Sequence, residues 1–191
     1  SNTKRFSGYI GAVFPLAKKD DGGYHILIPV MGPGHQAQIQ QAFLQKEDAV
    51  LMPLSPTTSN FVSVINNLKG RAYGWGNLNI IDPAEFNYDC SSELKSIYTP
   101  FGIWLPRHSS NQVNPDKVLG IVGSVFDFSN EKSADERISK LTQTDQYGND
   151  HRFTTVVYIG GHVFIYLGSY QVSSIATRGE LVALTYQNIW G

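Results

Sequence analysis

Hydrophobic and polar residues change period along this chain, and each change marks an element. From Gly8 to Leu44 the apolar residues come in short runs separated by turn residues. These are "GYIGAVFPLAKK", the turn "DDGG", "YHILIPVM", the turn "GPG" and "QAQIQQAFL". Turn signals at such short, regular spacing predict a small β-barrel. In "PLSPTTSNFVSVINNLKG" the period lengthens. Phe61, Val62, Ile65 and Leu68 predict a helix capped by Thr57, Thr58 or Ser59, with Gly70 at its far end. The segment Pro53–Pro56 is the expected boundary between a small module, residues 1–54, and a main domain, residues 55–191.

The loop "RAYGWGNLNIIDPAEFNY" follows, rich in Gly, Asn and aromatic residues. "DCSSELKSIYTPFG" then predicts a helix of about three turns, with Leu94, Ile97 and Tyr98 on one face and Pro100 and Gly102 as its stop. "KVLGIVGSVFDF" predicts a buried strand or strand pair, and "NEKSADERISKL" a short solvated helix. "FTTVVYIGG", "HVFIYLGSY" and "LVALTYQNIWG" predict strands. Helices first and an antiparallel sheet after them give an α+β domain.

Composition narrows the picture. Apolar residues make up 41% of the 191 and charged residues 16%, a globular balance that argues against disorder. The 15 Lys+Arg and 16 Asp+Glu leave a net charge of −1, without the basic footprint of a nucleic-acid binder. No apolar run reaches the ~18–20 residues of a membrane span. The start at Ser1 does not read as a signal peptide. A single cysteine, Cys90, forms no intramolecular disulfide. There is no paired-Cys spacing, no His-Glu-x-x-His and no Gly-x-Gly-x-x-Gly, so neither a metal nor a nucleotide cofactor is expected.

Cys90 sits where the second helix begins, after Asp89 and before Ser91 and Ser92. Thiolate is the nucleophilic form of cysteine, and a helix N-terminus favours it through the dipole and the free N–H groups. Asp89 is a natural cap, and the N–H groups converging there make an oxyanion site. The plainer reading is a small apolar residue in the core, but Asp, Ser and a downstream Arg are poor company for a core thiol. A thiol nucleophile needs a base, and the base an orienting group. Of the five histidines, His25 and His35 lie in the small module, and His108 and His151 in polar loops. His162 opens a strand directly after Gly160-Gly161, where its side chain is held firmly and a neighbour can approach. The plainer alternative for His162 is a strand-end imidazole bonded to backbone.

Together, "YGWG", "DCSS", "FGIWLPRHSSNQ", "GGHVFIYLG" and a terminal "IWG" resemble the NlpC-type cysteine peptidases of bacterial cell walls, a papain-like family. The similarity runs from about Thr57 to Gly191 and keeps the order of elements. Residues 1–54 are more weakly similar to the bacterial SH3-like module that precedes this catalytic domain in some members, through "GYIGAVFPL" and "YHILIPV". The resemblance implies a hydrolase of murein (peptidoglycan) stem peptides in the cell envelope, cutting between γ-D-glutamate and diaminopimelate. It makes Cys90 the nucleophile and His162 the base. The third polar position, most often histidine in the family, falls on Gln187, whose carbonyl can fix the imidazole tautomer without supplying charge. Asn188 is the neighbouring candidate, turned to the other face by strand alternation.

The same resemblance makes Tyr73 the tyrosine whose hydroxyl faces the oxyanion, with Trp75 packed beneath it. Arg107 offers a planar donor fork to a free α-carboxylate, Ser91 and Ser109 can donate to the same group, and Asp89 can receive a substrate ammonium. Phe86, Tyr88, Trp104 and Trp190 are expected in the core or cleft wall. Two rival readings keep the fold and change the chemistry. One is a binding module that holds murein peptide without cutting it, motivated by Gln187; the other is an acyl transferase.

Overall fold

The computed structural model describes residues 8, 11–76, 87–117, 125–130, 133–144, 148, 150–171 and 181–189. Its first unit is an antiparallel sheet in the order β1 (Leu16–Lys19), β2 (Gly23–Met31), β3 (Ala37–Gln45). Asp20 closes the first turn by accepting from the amides of Gly22 and Gly23 while its other oxygen pairs with His25 at 2.7 Å. Glycine is required at 23, because a Cβ there would lie 2.2 Å from the Leu44 carbonyl oxygen. Ile26 is the buried apolar residue of this sheet, whereas Leu16, Met31, Ile39 and Phe43 are exposed. The predicted closed barrel is not what the described residues form: three strands make an open sheet.

Helix α1 (Thr58–Leu68) starts as expected, with the Thr57 hydroxyl accepting from the Asn60 amide. It buries Phe61, Val64, Ile65 and Leu68, while Val62 is 42% exposed. Val64 therefore replaces Val62 on the inward stripe, since i, i+3, i+4, i+7 from Phe61 selects 64, 65 and 68. Helix α2 (Cys90–Tyr98) carries Leu94, Ile97 and Tyr98 inward and runs into a 3₁₀ turn, Thr99–Phe101. Gly102 ends it in the left-handed region at φ 77°, a conformation open to glycine and strained for other residues. Phe61 stacks on Phe101 at 4.0 Å and on Phe153 at 5.5 Å, joining α1, the end of α2 and the approach to the second sheet.

That sheet runs β4 (Val156–Ile159), β5 (His162–Gln171), β6 (Leu181–Tyr186), antiparallel throughout. α2 packs on β5, where Val163 and Ile165 are fully buried. The Tyr98 hydroxyl donates to the Phe153 carbonyl at 2.8 Å and so holds Phe153, at φ 61°, in front of β4. A short helix α3 (Ser109–Gln112) and the solvated α4 (Ala134–Thr142), capped by Ser133 and Glu136, complete the main unit. The arrangement is mixed α and β, helices ahead of an antiparallel sheet, as the periodicity predicted. Of the predicted strand in "KVLGIVGSVFDF", residues 118–124 lie outside the described residues. Val125 and Phe126 are exposed and outside any strand, so this part is a loop rather than a buried strand. Among the described residues no helix is long and apolar enough to cross a membrane.

Candidate active site

The site is assembled around the start of α2. Asp89 is its N-cap: one carboxylate oxygen accepts from the Ser92 amide at 2.8 Å, and the Ser92 hydroxyl accepts from the Asp89 amide at 2.9 Å. This reciprocal box satisfies two amide donors and fixes the first turn. Cys90 occupies the first helical position. Its own amide has no carbonyl four residues back inside the helix, so it is one of the donors a helix leaves open. Cys90 is 8% exposed and belongs to the core cluster, while its chain neighbours Asp89 and Ser91 are held by Arg107.

Asp89 also organises its surroundings. Arg107 donates to it twice, Nη1 to Oδ1 at 3.1 Å and Nη2 to Oδ2 at 2.6 Å. The Ser91 hydroxyl donates to Oδ1 and accepts from Arg107 Nη1 at 2.8 Å. Burial pushes the Asp89 carboxyl up, but the Arg107 fork, the amide and hydroxyl of Ser92 and the Arg107 charge together hold it below the ordinary carboxylate range. Arg107, expected to meet a substrate carboxylate, and Asp89, expected to meet a substrate ammonium, bind each other here, and Ser91 is the third member of their network.

The loop carrying Tyr73 is drawn to the same place. Residues 72–74 run beside Tyr88, with the Tyr88 amide donating to the Ala72 carbonyl and the Gly74 amide to the Tyr88 carbonyl, and the Gly76 amide donates to Asp89 Oδ2 at 3.1 Å. Burial, and then the negative charges of Cys90 and Asp89, push the Tyr73 phenol up. Tyr73 lies within electrostatic reach of Cys90 and Asp89, whereas Trp75 is 84% exposed and does not pack beneath it. Tyr88 is core, Trp104 is exposed under the Lys95 ammonium, and Phe86 and Trp190 lie outside the described residues.

The second half of the site is at the start of β5. His162 Nε2 lies 3.1 Å from the Gln187 side-chain oxygen; with that oxygen accepting, Nε2 carries the proton and Nδ1 keeps its lone pair. Asn188 turns the other way and donates to the Tyr88 carbonyl at 3.3 Å. The other histidines do other things: His25 pairs with Asp20, His108 caps α3 through its backbone, and the His151 carbonyl closes a turn.

Residues 107–109 tie the two halves together. Arg107 grips Ser91, next to Cys90. Two residues on, the Ser109 hydroxyl donates at 2.9 Å to the carbonyl of Gly161, next to His162. Ser109 is thus a brace between α3 and the β4–β5 turn. Gln112, which carries no assigned role in the sequence motif, is buried and donates to the carbonyls of Ser91 and Pro106 at 2.8 Å each. Its spacing in Leu105-Pro106-Arg107-x-Ser109-x-x-Gln112 is the signal that could have found it.

A thiol on a capped helix start and an imidazole–amide pair on a strand start, braced to each other in one α+β domain, define a class of protein. The NlpC/P60 family model matches residues 70–190, and the chain belongs to that family. Among solved structures it is similar to an NlpC/P60 endopeptidase from Photobacterium damselae subsp. piscicida, at 27% identity and a TM-score of 0.67. That similarity covers 95% of this chain and 36% of the other, so this chain spans about a third of that protein's length. A search of curated proteins gives no significant match.

Proposed function

We propose that this chain is a papain-like cysteine endopeptidase acting on murein stem peptides in the cell envelope, with Cys90 as nucleophile, His162 as base and Gln187 as the group that orients the base. The observation that carries the reading is the His162–Gln187 hydrogen bond, joined through Gly161, Ser109, Arg107 and Ser91 to the capped start of α2. Family membership and the endopeptidase among its structural relatives support it.

In this mechanism Nδ1 of His162 takes the thiol proton. The Cys90 sulfur attacks the scissile carbonyl carbon, and the oxyanion is met by the Cys90 amide and the Tyr73 hydroxyl. The tetrahedral intermediate collapses as the imidazolium gives its proton to the leaving amine, and a thioester remains on Cys90. His162 then deprotonates a water that attacks the thioester, and thiolate leaves. Gln187 keeps the tautomer that makes Nδ1 the base, as a neutral amide can. The bond cut is between γ-D-glutamate and diaminopimelate. We read residues 1–54 as an SH3-like module whose three described strands are part of its sheet, and 55–191 as the catalytic domain.

The test is incubation with defined murein peptides and mass spectrometry of the products. Release of a γ-D-glutamyl fragment by the native chain and none by Cys90→Ala is expected; equal turnover by both removes the reading. A second reading, a module that binds murein peptide without cutting it, draws on the buried Cys90 and on glutamine at 187. Peptide binding with no product from the native chain selects it. An assay with an added amine acceptor separates acyl transfer from hydrolysis.

A further inference from the structure

One buried ionisable group next to this site has no part in the mechanism above. Glu93 lies on α2, one turn beyond Cys90, and is 2% exposed. Acidic side chains are almost never fully buried without a reason, because removing a carboxylate from water is costly. Its Oε1 accepts from the Tyr186 hydroxyl at 2.6 Å. Among the described residues its Oε2 has no hydrogen-bond partner. The Asn188 amide lies near enough to favour the charged form, but its aligned donation goes to the Tyr88 carbonyl. Burial dominates and pushes the Glu93 carboxyl up.

The residues that Glu93 and its neighbours hold are the two that flank Gln187. Tyr186, the last residue of β6, is fixed from α2 by Glu93, and Asn188 is fixed by Tyr88, which precedes the N-cap. Gln187 lies between these anchors beyond the end of the β5–β6 ladder, and its side chain turns to His162. A backbone pinned on both sides, with Tyr186 reaching α2 and Asn188 reaching Tyr88 just ahead of it, leaves the intervening side chain directed at the imidazole.

We propose that Glu93, acting through Tyr186, is a positioning residue for the Gln187–His162 pair. The proposal rests on the reading of His162 as base, and it makes α2 carry both the nucleophile at its first position and the anchor for the base's orienting group. Misplacing an aligned group by about 1 Å costs up to about 100-fold in rate.

The test uses Glu93→Gln, Glu93→Ala and Tyr186→Phe in the full chain. Glutamine keeps an acceptor for the Tyr186 hydroxyl, and the other two remove the contact. In ¹⁵N spectra of the His162 ring, the native chain and Glu93→Gln are expected to show one Nε2–H tautomer. Glu93→Ala and Tyr186→Phe are expected to show a mixture. On murein peptide, both disruptive variants are expected to lose about 10-fold to 100-fold in kcat with KM within about two-fold, and Glu93→Gln to stay near native. A single native-like tautomer in folded Tyr186→Phe overturns the proposal, as does a Glu93→Gln loss equal to that of Glu93→Ala. If Glu93→Ala does not fold, Tyr186→Phe and Glu93→Gln decide. If the native chain cuts no peptide, the peptidase reading fails, and the tautomer measurement still judges Glu93.

Discussion

The two sheets of this protein have the same strand count and antiparallel pairing but opposite surroundings. The first, β1–β3, exposes every residue of β1 and nearly all of β3, and contributes Ile26 to the buried set. The second, β4–β6, has α2 against it and buries Val163 and Ile165 completely. Alternation sets which face a strand residue occupies, but only a packed neighbour turns that face into an interior. Chemistry follows the same division. The first sheet's His25–Asp20 pair is in partial contact with solvent, with side chains 31% and 36% exposed, whereas Asp89 in the Arg107 pair is 8% exposed.

Substitutions at matched positions test whether function and stability reside in the second unit. The largest effect is expected at the nucleophile. Cys90→Ala and His162→Ala should each lower peptide turnover by about 10⁴-fold or more with the thermal midpoint held, while Ile39→Ala on the first sheet leaves turnover unchanged. A matching loss from Ile39→Ala would erase the division. Next, Leu94→Ala in the α2 interface should cost about 2–5 kcal/mol in denaturant unfolding, against about 0.5 kcal/mol or less for the exposed Ile39→Ala. Comparable values would mean that the first sheet is covered in solution. Gln187→Ala should then lower kcat about 10-fold to 100-fold without altering the unfolding midpoint. A fall that tracks lost stability would instead mark Gln187 as structural.

The acid limb of stability is the finest test. The native pKa of Asp89 is depressed, so its contribution is present above the unfolded value of about 3.9 and is lost as pH falls through the lower native value. Arg107→Gln removes the main opposing donor, costs about 1–3 kcal/mol near neutrality, and should move the acid-unfolding midpoint to higher pH. Asp20→Asn should move it less, because solvent already screens that pair. Glu93 has the opposite sign. Its native pKa is raised, so its contribution is full below the unfolded value and declines as pH rises through the native one. Stability compared between the native chain and Glu93→Gln should therefore diverge on raising the pH, with the variant the more stable.

Local elements were legible from residue order. Asp89 read as a cap, and Thr57 as one of three candidates with Thr58 and Ser59, because a side-chain oxygen before an apolar-periodic run has one good use there; the structure caps the helices with Thr57 and Asp89. Leu94, Ile97 and Tyr98 were legible as buried by helical spacing, and the three late strands by β-branched and aromatic runs. Val62 fell outside the buried stripe because it is not at i+3, i+4 or i+7 from Phe61, the spacing that selects Val64, Ile65 and Leu68. Gln187 beside His162 was implied by the family resemblance, and alternation along the strand turned Asn188 to the other face.

Docking of the elements settled which polar groups spend their hydrogen bonds on each other. Asp89 and Arg107, 18 positions apart, pair rather than stand open, Ser109 braces Gly161 across 52 positions, and Tyr186 reaches Glu93 across 93. Nor could residue order say that the first sheet stays open, since apolar runs of that length read alike whether or not anything packs on them. Spacing along a chain fixes a side chain's direction within its own element. Partners from distant elements are set by how those elements dock, and docking depends on the whole buried surface rather than on any short stretch of residues.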